Sequence, residues 1–330
     1  MRDSVNCIDF EPIALIGLPR SGTTWIGKIF DSHPETLYLH EPDSAVLMKE
    51  LPLIAEPFPD SEHHVLSSAL TRTLSLRLTR VVGILPQFKK SYRTSTVDWF
   101  HRRLVLGGKL YSRFVGEVRI PDLINTGQPV RLVWKSVESL GRLGLIARAM
   151  TNSRVIHILR HPGAWESSFS RGYREKHFRS SRTEWSVLTQ LTETTAAKRR
   201  GLTITSFKAM SGLERNVWSW VLWNEHASEA CSDLTNVLMI KYEDVCAAPI
   251  AESQRMFKFS NLTWHEQTER FILESTSTHK DGFYGVFRNP SIAANRWRHN
   301  ISSTNLKTIE SILADSEIGR YYLETDVKSA

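Results

Sequence analysis

The stretch GLPRSGTTW, from Gly17 to Trp25, follows a short apolar run and precedes a segment whose apolar residues have helical spacing. Gly17 and Gly22 have the spacing of a phosphate-binding P-loop, but Thr23 stands where that loop has its lysine. The basic side chain of the stretch is Arg20, inside the loop. A strand–loop–helix turn points several main-chain N–H groups and the positive end of the helix dipole at one place. The stretch therefore predicts an anion-binding loop in which Arg20, within the loop, supplies the positive charge in place of the usual lysine.

Four further short apolar segments, together with the one before the loop, outline the fold. They are rich in Val, Ile and Leu and are separated by stretches of helix length, which is typical of a parallel sheet with helices on both faces. We therefore expect an α/β protein with a central parallel sheet of about five strands, laid out as in P-loop nucleotide hydrolases. Ligands of such sheets bind beyond the carboxyl ends of the strands, where Gly17, Glu41, Lys135, Arg160 and the segment after Tyr242 fall. The segments are FEPIALIGL, ETLYLHEP, QPVRLVWKS, SRVIHILRHP and TNVLMIKYED.

The composition is that of a globular protein: 330 residues, 41% hydrophobic and 23% charged, with a net charge of +7. Such a positive balance suits an anionic ligand, a membrane surface or a nucleic acid. No nucleic-acid-binding motif accompanies it, so we expect no nucleic-acid partner. The sequence predicts neither a signal peptide nor a membrane span. Its three cysteines, at positions 7, 231 and 246, lack metal-like spacing and indicate reduced thiols, hence a cytoplasmic protein.

Two long segments interrupt the alternation of strands and helices within what we expect to be a single domain of residues 1–330. Residues 43–128 and 171–217 are polar, basic and helix-prone. Loops of that length are often lids or binding segments. We therefore expect them to form a helical lid over a second substrate, with plain surface helices as the alternative.

The loop sequence PRSGTTW resembles the 5′-phosphosulfate loop of sulfotransferases that use 3′-phosphoadenylyl sulfate (PAPS). In that family a Lys or Arg precedes Ser-Gly-Thr-Thr, often followed by Trp. The resemblance implies a loop that binds the 5′-phosphosulfate and a tryptophan that stacks on adenine. These residues are Arg20, Ser21, Gly22, Thr23, Thr24 and Trp25.

A second signature of the family is a strand ending in Arg, with a Ser eight residues later. VIHILRHPGAWESSFS supplies Arg160 and Ser168 at that spacing. In the family this pair binds the 3′-phosphate of the nucleotide. A guanidinium can donate two parallel hydrogen bonds to phosphate oxygens, and a nearby hydroxyl can donate another.

Two later stretches extend the resemblance. VFRNPSIAANRWRHN resembles the loop that closes over the nucleotide, and it implies that Arg288 binds the nucleotide, although Asn289-Pro290 replaces Lys-Gly. VLMIKYEDVCAAP resembles a strand followed by a structural Tyr-Glu-Asp turn. Trp220 lies where the family places a second adenine contact, with a core residue as the alternative.

The base that takes the acceptor's proton differs among family members. Many use a His two residues after a strand Lys; here Lys135 is in place, but Val137 stands at the His position. Others, such as tyrosylprotein sulfotransferases, use a Glu at the end of the second strand, which is the position of Glu41. Glu41 can act as the base if burial raises its pKa toward neutrality, and the alternative is that it only pairs with Arg20. His40 is adjacent, but strand alternation predicts that its side chain faces away.

The resemblance implies transfer of a sulfuryl group from PAPS, leaving the 3′,5′-bisphosphate PAP, with no metal. Arg20 would stabilise the leaving oxygen, and Lys135 would belong to the catalytic group. A glycan, glycolipid or natural product is the expected acceptor. The alternatives are a small-molecule kinase or another nucleotide-dependent phosphotransferase, which needs a loop lysine and a Mg²⁺ ligand, and a non-catalytic scaffold. If Glu41 is not the base, His177 is the first histidine to test.

Overall fold

The computed structural model describes residues 8–55, 63–125, 127–174, 183–277, 295–299 and 301–326. Five strands form one parallel sheet. They are β1 (Ile8–Ile16), β2 (Thr36–His40), β3 (Val130–Ser136), β4 (Arg154–Leu159) and β5 (Val237–Lys241). Their order across the sheet is β2–β3–β1–β4–β5. The five predicted strands and the parallel α/β fold are therefore confirmed.

Helices connect the strands and cover both faces of the sheet. The helices up to β3 are α1 (Thr23–Asp31), α2 (Pro42–Ala45), α3 (His63–Leu74), α4 (Thr79–Val82) and α5 (Ser95–Val115). Those between β3 and β5 are α6 (Leu143–Ala149), α7 (Pro162–Arg174), α8 (Glu184–Thr192), α9 (Thr195–Arg199), α10 (Ile204–Ala209) and α11 (Gly212–Glu229). After β5 come α12 (Tyr242–Ala247), α13 (Pro249–Phe259), α14 (Glu266–Ser277), α15 (Ser303–Ala314) and α16 (Glu317–Asp326). Short 3-10 helices lie at Leu140–Arg142 and Arg296–His299.

The two faces of the sheet bury two separate hydrophobic clusters. Alternation along β1 sends Ile13 and Leu15 into one cluster, and Ala14 and Ile16 into the other. All four side chains are almost completely buried. A strand that is covered on both sides reads as a continuous apolar run, which is why the segment before the phosphate loop was recognisable.

The two long segments that interrupt the alternation are helical where the structure describes them, as predicted. Residues 43–128 contain α2 to α5, and residues 171–217 contain the end of α7, α8 to α10 and the start of α11. Their function as a lid stays a prediction.

A buried ionic cluster fixes the first of these segments to the end of α1. Lys90 Nζ donates hydrogen bonds to Asp31 Oδ1, at 3.1 Å, and to the His33 carbonyl oxygen, also at 3.1 Å. Lys28 contacts the same carboxylate and donates to the Ile84 carbonyl oxygen at 3.0 Å. Because buried charges are costly without partners, this cluster ties the loop around residues 84–90 firmly to the sheet.

No helix within the described ranges combines the length and apolar character that crossing a bilayer requires.

Candidate active site

The carboxyl edge of the sheet brings together residues that follow different strands. Glu41 follows β2, Lys135 is the penultimate residue of β3, and Arg160 follows β4. The Lys135 carbonyl oxygen accepts a hydrogen bond of 2.8 Å from the Glu41 N–H. The next carbonyl oxygen, that of Ser136, accepts one of 3.3 Å from the Gly17 N–H. The end of β3 thus fixes both the turn that carries Glu41 and the first residue of the phosphate loop.

The phosphate loop turns through two left-handed residues. Arg20 has φ 73° and Gly22 has φ 82°. Helix α1 begins directly after Gly22 without a side-chain cap, so no side chain competes with an anion for the N–H groups at its start. On the other side of the loop, Trp165 Nε1 donates to the Pro19 carbonyl oxygen at 2.8 Å. A strand, a left-handed loop and an uncapped helix are therefore present where the sequence predicts an anion-binding loop.

Tyr242, the first residue of α12, supports this loop from the far side. A Cβ atom at Gly22 would lie 2.1 Å from Cδ2 of the Tyr242 ring, so only glycine fits there. The guanidinium carbon of Arg160 lies 5.1 Å from the centroid of the same ring. Sequence reasoning missed this role of Tyr242, although its position directly after the last strand was the available signal.

The two predicted phosphate-binding clusters meet in the structure. Arg20 Nε donates a hydrogen bond of 3.0 Å to Ser168 Oγ. Arg160 Nη1 donates one of 2.8 Å to the Arg20 carbonyl oxygen. Because the Ser168 hydroxyl accepts from Arg20, its own O–H can still donate to a phosphate oxygen. The structure therefore brings together Arg20, Arg160 and Ser168, as the predicted nucleotide site requires.

The remaining loop residues differ in access. Ser21 and Thr23 are buried, whereas Thr24 is half-buried. Thr23, at the lysine position of a P-loop, packs its methyl group toward Gly17, where an added Cβ would be 3.2 Å away. Thr24 is thus the more accessible hydroxyl of the Thr-Thr pair.

Trp25 lies on the core side of α1. Its ring is buried, its Nε1 donates to Ser275 Oγ at 3.0 Å, and it meets the edge of the Tyr242 ring at a centroid distance of 6.1 Å. Stacking of Trp25 on adenine stays a prediction.

Trp220 is placed differently from the sequence-based interpretation. Its side chain, on α11, is fully buried in the cluster on the other face of the sheet from Trp25, and its ring packs against Tyr322 at 5.8 Å. A ring with no accessible surface cannot stack on a nucleotide, so the adenine contact is corrected to a core residue.

Two predicted residues, Arg288 and His177, lie outside the described residues. Trp297, from the same late loop as Arg288, is described and stacks on His161 with ring centroids 4.5 Å apart. The Tyr-Glu-Asp turn has a structural role, as expected: the Glu243 carboxylate accepts a hydrogen bond of 2.9 Å from the His161 N–H.

Glu41 and Lys135 form the ion pair at the centre of the site. Lys135 Nζ donates to the Glu41 carboxylate. The lysine side chain is almost completely buried, while that of Glu41 is 27% exposed. Glu41 also has a left-handed backbone, with φ 46°, a conformation that is rare in non-glycine residues and is common at functional sites. Its carboxylate is therefore held in place and open to a small molecule.

The pKa of Glu41 corrects one expectation. Burial, the largest influence, raises it, but the Lys135 ammonium and smaller contributions from His40 and Arg80 together lower the pKa below the ordinary value of 4.5. The sequence-based hypothesis required a pKa raised toward neutrality and considered Arg20 as the alternative partner. In the structure the partner is Lys135, and Glu41 is ionised at neutral pH.

His40 corrects a second expectation. Strict alternation along β2 predicts that His40 faces away from Glu41, yet its Nε2 lies 3.7 Å from the Glu41 carboxylate. The left-handed turn at Glu41 ends the alternation and brings the two side chains together. Burial, together with the Lys135 charge, lowers the pKa of His40 to about 3, so its ring is neutral. Its Nδ1 pairs with the Tyr38 hydroxyl at 3.0 Å.

Asp43 is a site residue that sequence reasoning missed. It is fully buried at the start of α2 and accepts hydrogen bonds from the hydroxyls of Ser136 and Ser139, the latter at 2.5 Å. Its other carboxylate oxygen is buried with no partner among the described residues. Burial raises the pKa of Asp43 to about 6. An acidic residue just after a strand was the available signal, but one carboxyl in a loop carries little information by itself.

Comparison with known proteins assigns this chain to a family. The sequence model described as the sulfotransferase family matches residues 12–266. The chain belongs to the sulfotransferase family. The match runs from within β1, the strand that leads into the phosphate loop, to the start of α14, so it includes most of β1 and the other four strands of this sulfotransferase.

Several solved sulfotransferases match this chain at low sequence identity. A mouse sulfotransferase, SULT7A1, in complex with PAP is 13% identical, over 98% of this chain and 90% of that one, with a TM-score of 0.48. The sulfotransferase domain of the curacin biosynthetic pathway is 15% identical, over 92% and 97%, with a TM-score of 0.43. STF9 from Mycobacterium avium is 14% identical, over 96% and 76%, with a TM-score of 0.43. No curated protein sequence matches this sulfotransferase.

Proposed function

We propose that this sulfotransferase transfers the sulfuryl group of PAPS to a hydroxyl or amine group of a glycan, glycolipid or natural product, with Glu41 as the general base. The observation that carries the proposal is the end of β3. There Lys135 holds the Glu41 carboxylate, and the next carbonyl holds Gly17 of the phosphate loop. A base, a cation and an anion-binding loop thus share one edge of the sheet.

The donor fits this edge through its two phosphate groups. The loop from Arg20 to Thr24, with the helix dipole of α1 behind it, suits the 5′-phosphosulfate. Arg160 and the Ser168 hydroxyl suit the 3′-phosphate, because a guanidinium and a hydroxyl both donate to phosphate oxygens. Arg20 binds Ser168 directly, so the two clusters would act on one nucleotide.

In the transfer step the acceptor oxygen attacks sulfur as the bridging S–O bond to the 5′-phosphate breaks. The bond's electron pair goes to the bridging oxygen, which becomes a 5′-phosphate oxygen of PAP. The acceptor proton goes to the Glu41 carboxylate. Arg20 and Lys135 stabilise the charge that develops on the leaving oxygen and the sulfuryl group.

Lys135 would change partners during this cycle. In the structure its ammonium is bound to Glu41, which lowers the basicity of the carboxylate. A sulfuryl group at the same edge would compete for that ammonium. Once Lys135 turns to the sulfuryl group, the desolvated Glu41 carboxylate becomes a stronger base, so donor binding itself activates the base.

The acceptor would approach from the side of the first helical segment. Helix α2 begins directly after Glu41, and α4 packs beside β2. The positive charge of Arg80, on α4, contributes to the lowered pKa of Glu41. These helices therefore form the wall nearest to the base, and we assign residues 43–128 to acceptor recognition.

Two measurements test the function. PAP should raise the melting temperature without added metal, and adenosine 5′-phosphate, which lacks the 3′-phosphate, should do so much less. When the sulfuryl group of PAPS is labelled, the label should then appear on at least one acceptor in a panel of glycans, glycolipids and phenols. If ATP with Mg²⁺ stabilises the protein and PAP does not, the phosphotransferase alternative replaces this proposal.

A further inference from the structure

The outer face of α5 exposes a continuous group of large apolar side chains. Phe114 is 83% exposed and is the most exposed large hydrophobic residue in the described part of the chain. A surface helix normally turns its apolar stripe toward the core and its polar face outward. We name these residues the α5 face: Trp99, Phe100, Leu106, Leu110, Tyr111, Phe114 and Val115.

The inner side of α5 is already in use. Asp98, His101 and Val105 are buried against the body of the protein. At 3.6 residues per turn these three share one side of the helix, and the α5 face covers the opposite side. The apolar residues of the α5 face are therefore additional to those that hold the helix in place.

The helix is anchored, so the α5 face is a preformed surface. Lys109 Nζ donates to the Gly83 carbonyl oxygen at 2.9 Å. Gly108 packs so closely that a Cβ atom there would lie 2.7 Å from Ile120. Thr94 caps the first turn by accepting a hydrogen bond from the Val97 N–H.

Basic side chains accompany the α5 face. Arg103 lies within it, with its guanidinium carbon 5.1 Å from the centroid of the Trp99 ring. Arg102 and Arg113 flank the same face on one side, by helical spacing, whereas Lys109 is turned inward to the Gly83 carbonyl. The acidic residue of α5, Asp98, is buried and bonded to Arg102 at 2.9 Å. The exposed surface of this helix is thus apolar and cationic together.

We propose that the α5 face binds the surface of an anionic lipid bilayer, with α5 lying in the plane of the headgroups. Helices that lie in a membrane interface combine Trp, Phe and Leu on one face with Lys and Arg beside it. Long basic side chains can reach lipid phosphates while their stems and the aromatic rings stay in the apolar layer. Both properties are met by the α5 face.

A second copy of the chain fits this surface less well. Pairing of two α5 faces would bring Arg103 and the flanking arginines of both copies together, with no exposed acidic side chain on the helix to neutralise them. Like charges at such a contact are unfavourable. An anionic lipid surface provides the opposite charge, so charge complementarity favours the bilayer.

Vesicle co-sedimentation tests the proposal on the full chain. The parent should sediment with phosphatidylcholine vesicles that contain phosphatidylglycerol, and much less with phosphatidylcholine alone. Replacing both Leu110→Glu and Phe114→Glu should lower the partition coefficient by at least roughly 10-fold, because two apolar groups are lost and two repelled charges gained. Arg103→Gln and Arg113→Gln should each lower it about 5-fold.

A matched control is Leu273→Glu, on α14. Leu273 is another exposed leucine, 55% accessible, and lies outside α5. This variant should bind vesicles like the parent. A cooperative melting transition, measured on every variant, shows that the chain is folded, and PAP-induced stabilisation, measured separately, distinguishes failure of this proposal from failure of the proposed function.

Three outcomes overturn the proposal. One is a parent that does not sediment with either vesicle, or does so equally with both. Another is an equal loss of binding in Leu273→Glu and in the double variant. The third is a parent that is dimeric by sedimentation equilibrium and becomes monomeric on Phe114→Glu without any vesicle binding, which would make the α5 face a contact between copies.

Discussion

Lys135 and Glu41 are bonded to each other twice. The Lys135 ammonium donates to the Glu41 carboxylate, and the Glu41 main-chain N–H donates to the Lys135 carbonyl oxygen at 2.8 Å. The ends of two neighbouring strands are thereby joined through both backbone and side chain. These two hydrogen bonds between the ends of β2 and β3 set the position of the base and keep it ionised.

Glu41→Gln should slow single-turnover transfer from labelled PAPS by roughly 10²–10⁴-fold, because the amide keeps the shape but cannot accept the proton. PAP affinity, measured by calorimetry, should change little. The matched control is Glu193→Gln, since Glu193 is a strongly exposed glutamate on the surface, and it should transfer at the parent rate. A Glu41→Gln enzyme within a few-fold of the parent would make Glu41 a structural partner of Lys135.

The pH profile of kcat/KM reports the ionisation of the free enzyme. Because Lys135 lowers the pKa of Glu41 below 4.5, the base should be fully ionised at neutral pH and lose its charge only in more acidic solution. We therefore expect the fall in activity due to Glu41 to lie below pH 4.5. An acidic limb near neutrality that Asp43→Asn leaves in place would contradict this assignment.

The raised pKa of Asp43 should make the free energy of unfolding fall as the pH rises, whereas the lowered pKa of Glu41 makes activity fall as the pH drops. Its pKa is raised from 3.8 to about 6 in the folded protein, so between these values the folded state holds a proton that the unfolded state has lost. The contribution of Asp43 to stability is then fully present below pH 3.8 and is lost as the pH rises through 6. Relative to the parent, Asp43→Asn should gain up to about 3 kcal/mol in unfolding free energy from pH 4 to pH 8. Urea denaturation at both pH values measures this, and a constant difference would contradict it.

Gly22→Ala should destabilise the protein by about 2–5 kcal/mol, because it adds left-handed strain and a clash with the Tyr242 ring. Gly107→Ala is the matched control, since a Cβ atom at Gly107 meets nothing within 4 Å. In the interior of a helix that change should stabilise by about 0.5–1 kcal/mol. Urea denaturation separates the two, and equal effects would mean that Tyr242 does not limit the space at Gly22.

Arg160→Ala should weaken PAP binding by about 1.5–3 kcal/mol, the loss expected for a hydrogen bond to a charged group. Adenosine 5′-phosphate should lose less, because it lacks the 3′-phosphate that Arg160 binds in this proposal. Calorimetry with both nucleotides gives the difference. Equal losses for the two would place Arg160 in support of the loop, through its bond to the Arg20 carbonyl, instead of at the 3′-phosphate.

The sheet was predictable because β1, with both faces covered, leaves an apolar run that local sequence reveals. The positions of Arg20, Glu41 and Lys135 at one edge followed from the parallel arrangement alone. Local sequence could not show which side chains, distant along the chain, would pair with each other. The partner of Glu41 is 94 residues away along the chain, and alternation along β2 failed at His40 because it assumes regular strand dihedrals, which Glu41 leaves.

Two further residues show the same limit. Trp220 was misplaced because a tryptophan on a helix has no local mark that separates a core ring from a ligand contact. Tyr242 was missed because its role arises from the missing side chain of Gly22, far away in the sequence. In both cases the decisive quantity is the space left by a distant residue.

The position of β1 in the middle of the sheet also has a consequence for biosynthesis. This strand leaves the ribosome well before its two neighbours, β3 and β4, which begin at residues 130 and 154. Until then an apolar strand with two open edges is exposed in the nascent chain, the kind of segment that pairs with other chains and recruits chaperones. The chain is therefore most prone to aggregate during synthesis, before the two strands that flank β1 have been made.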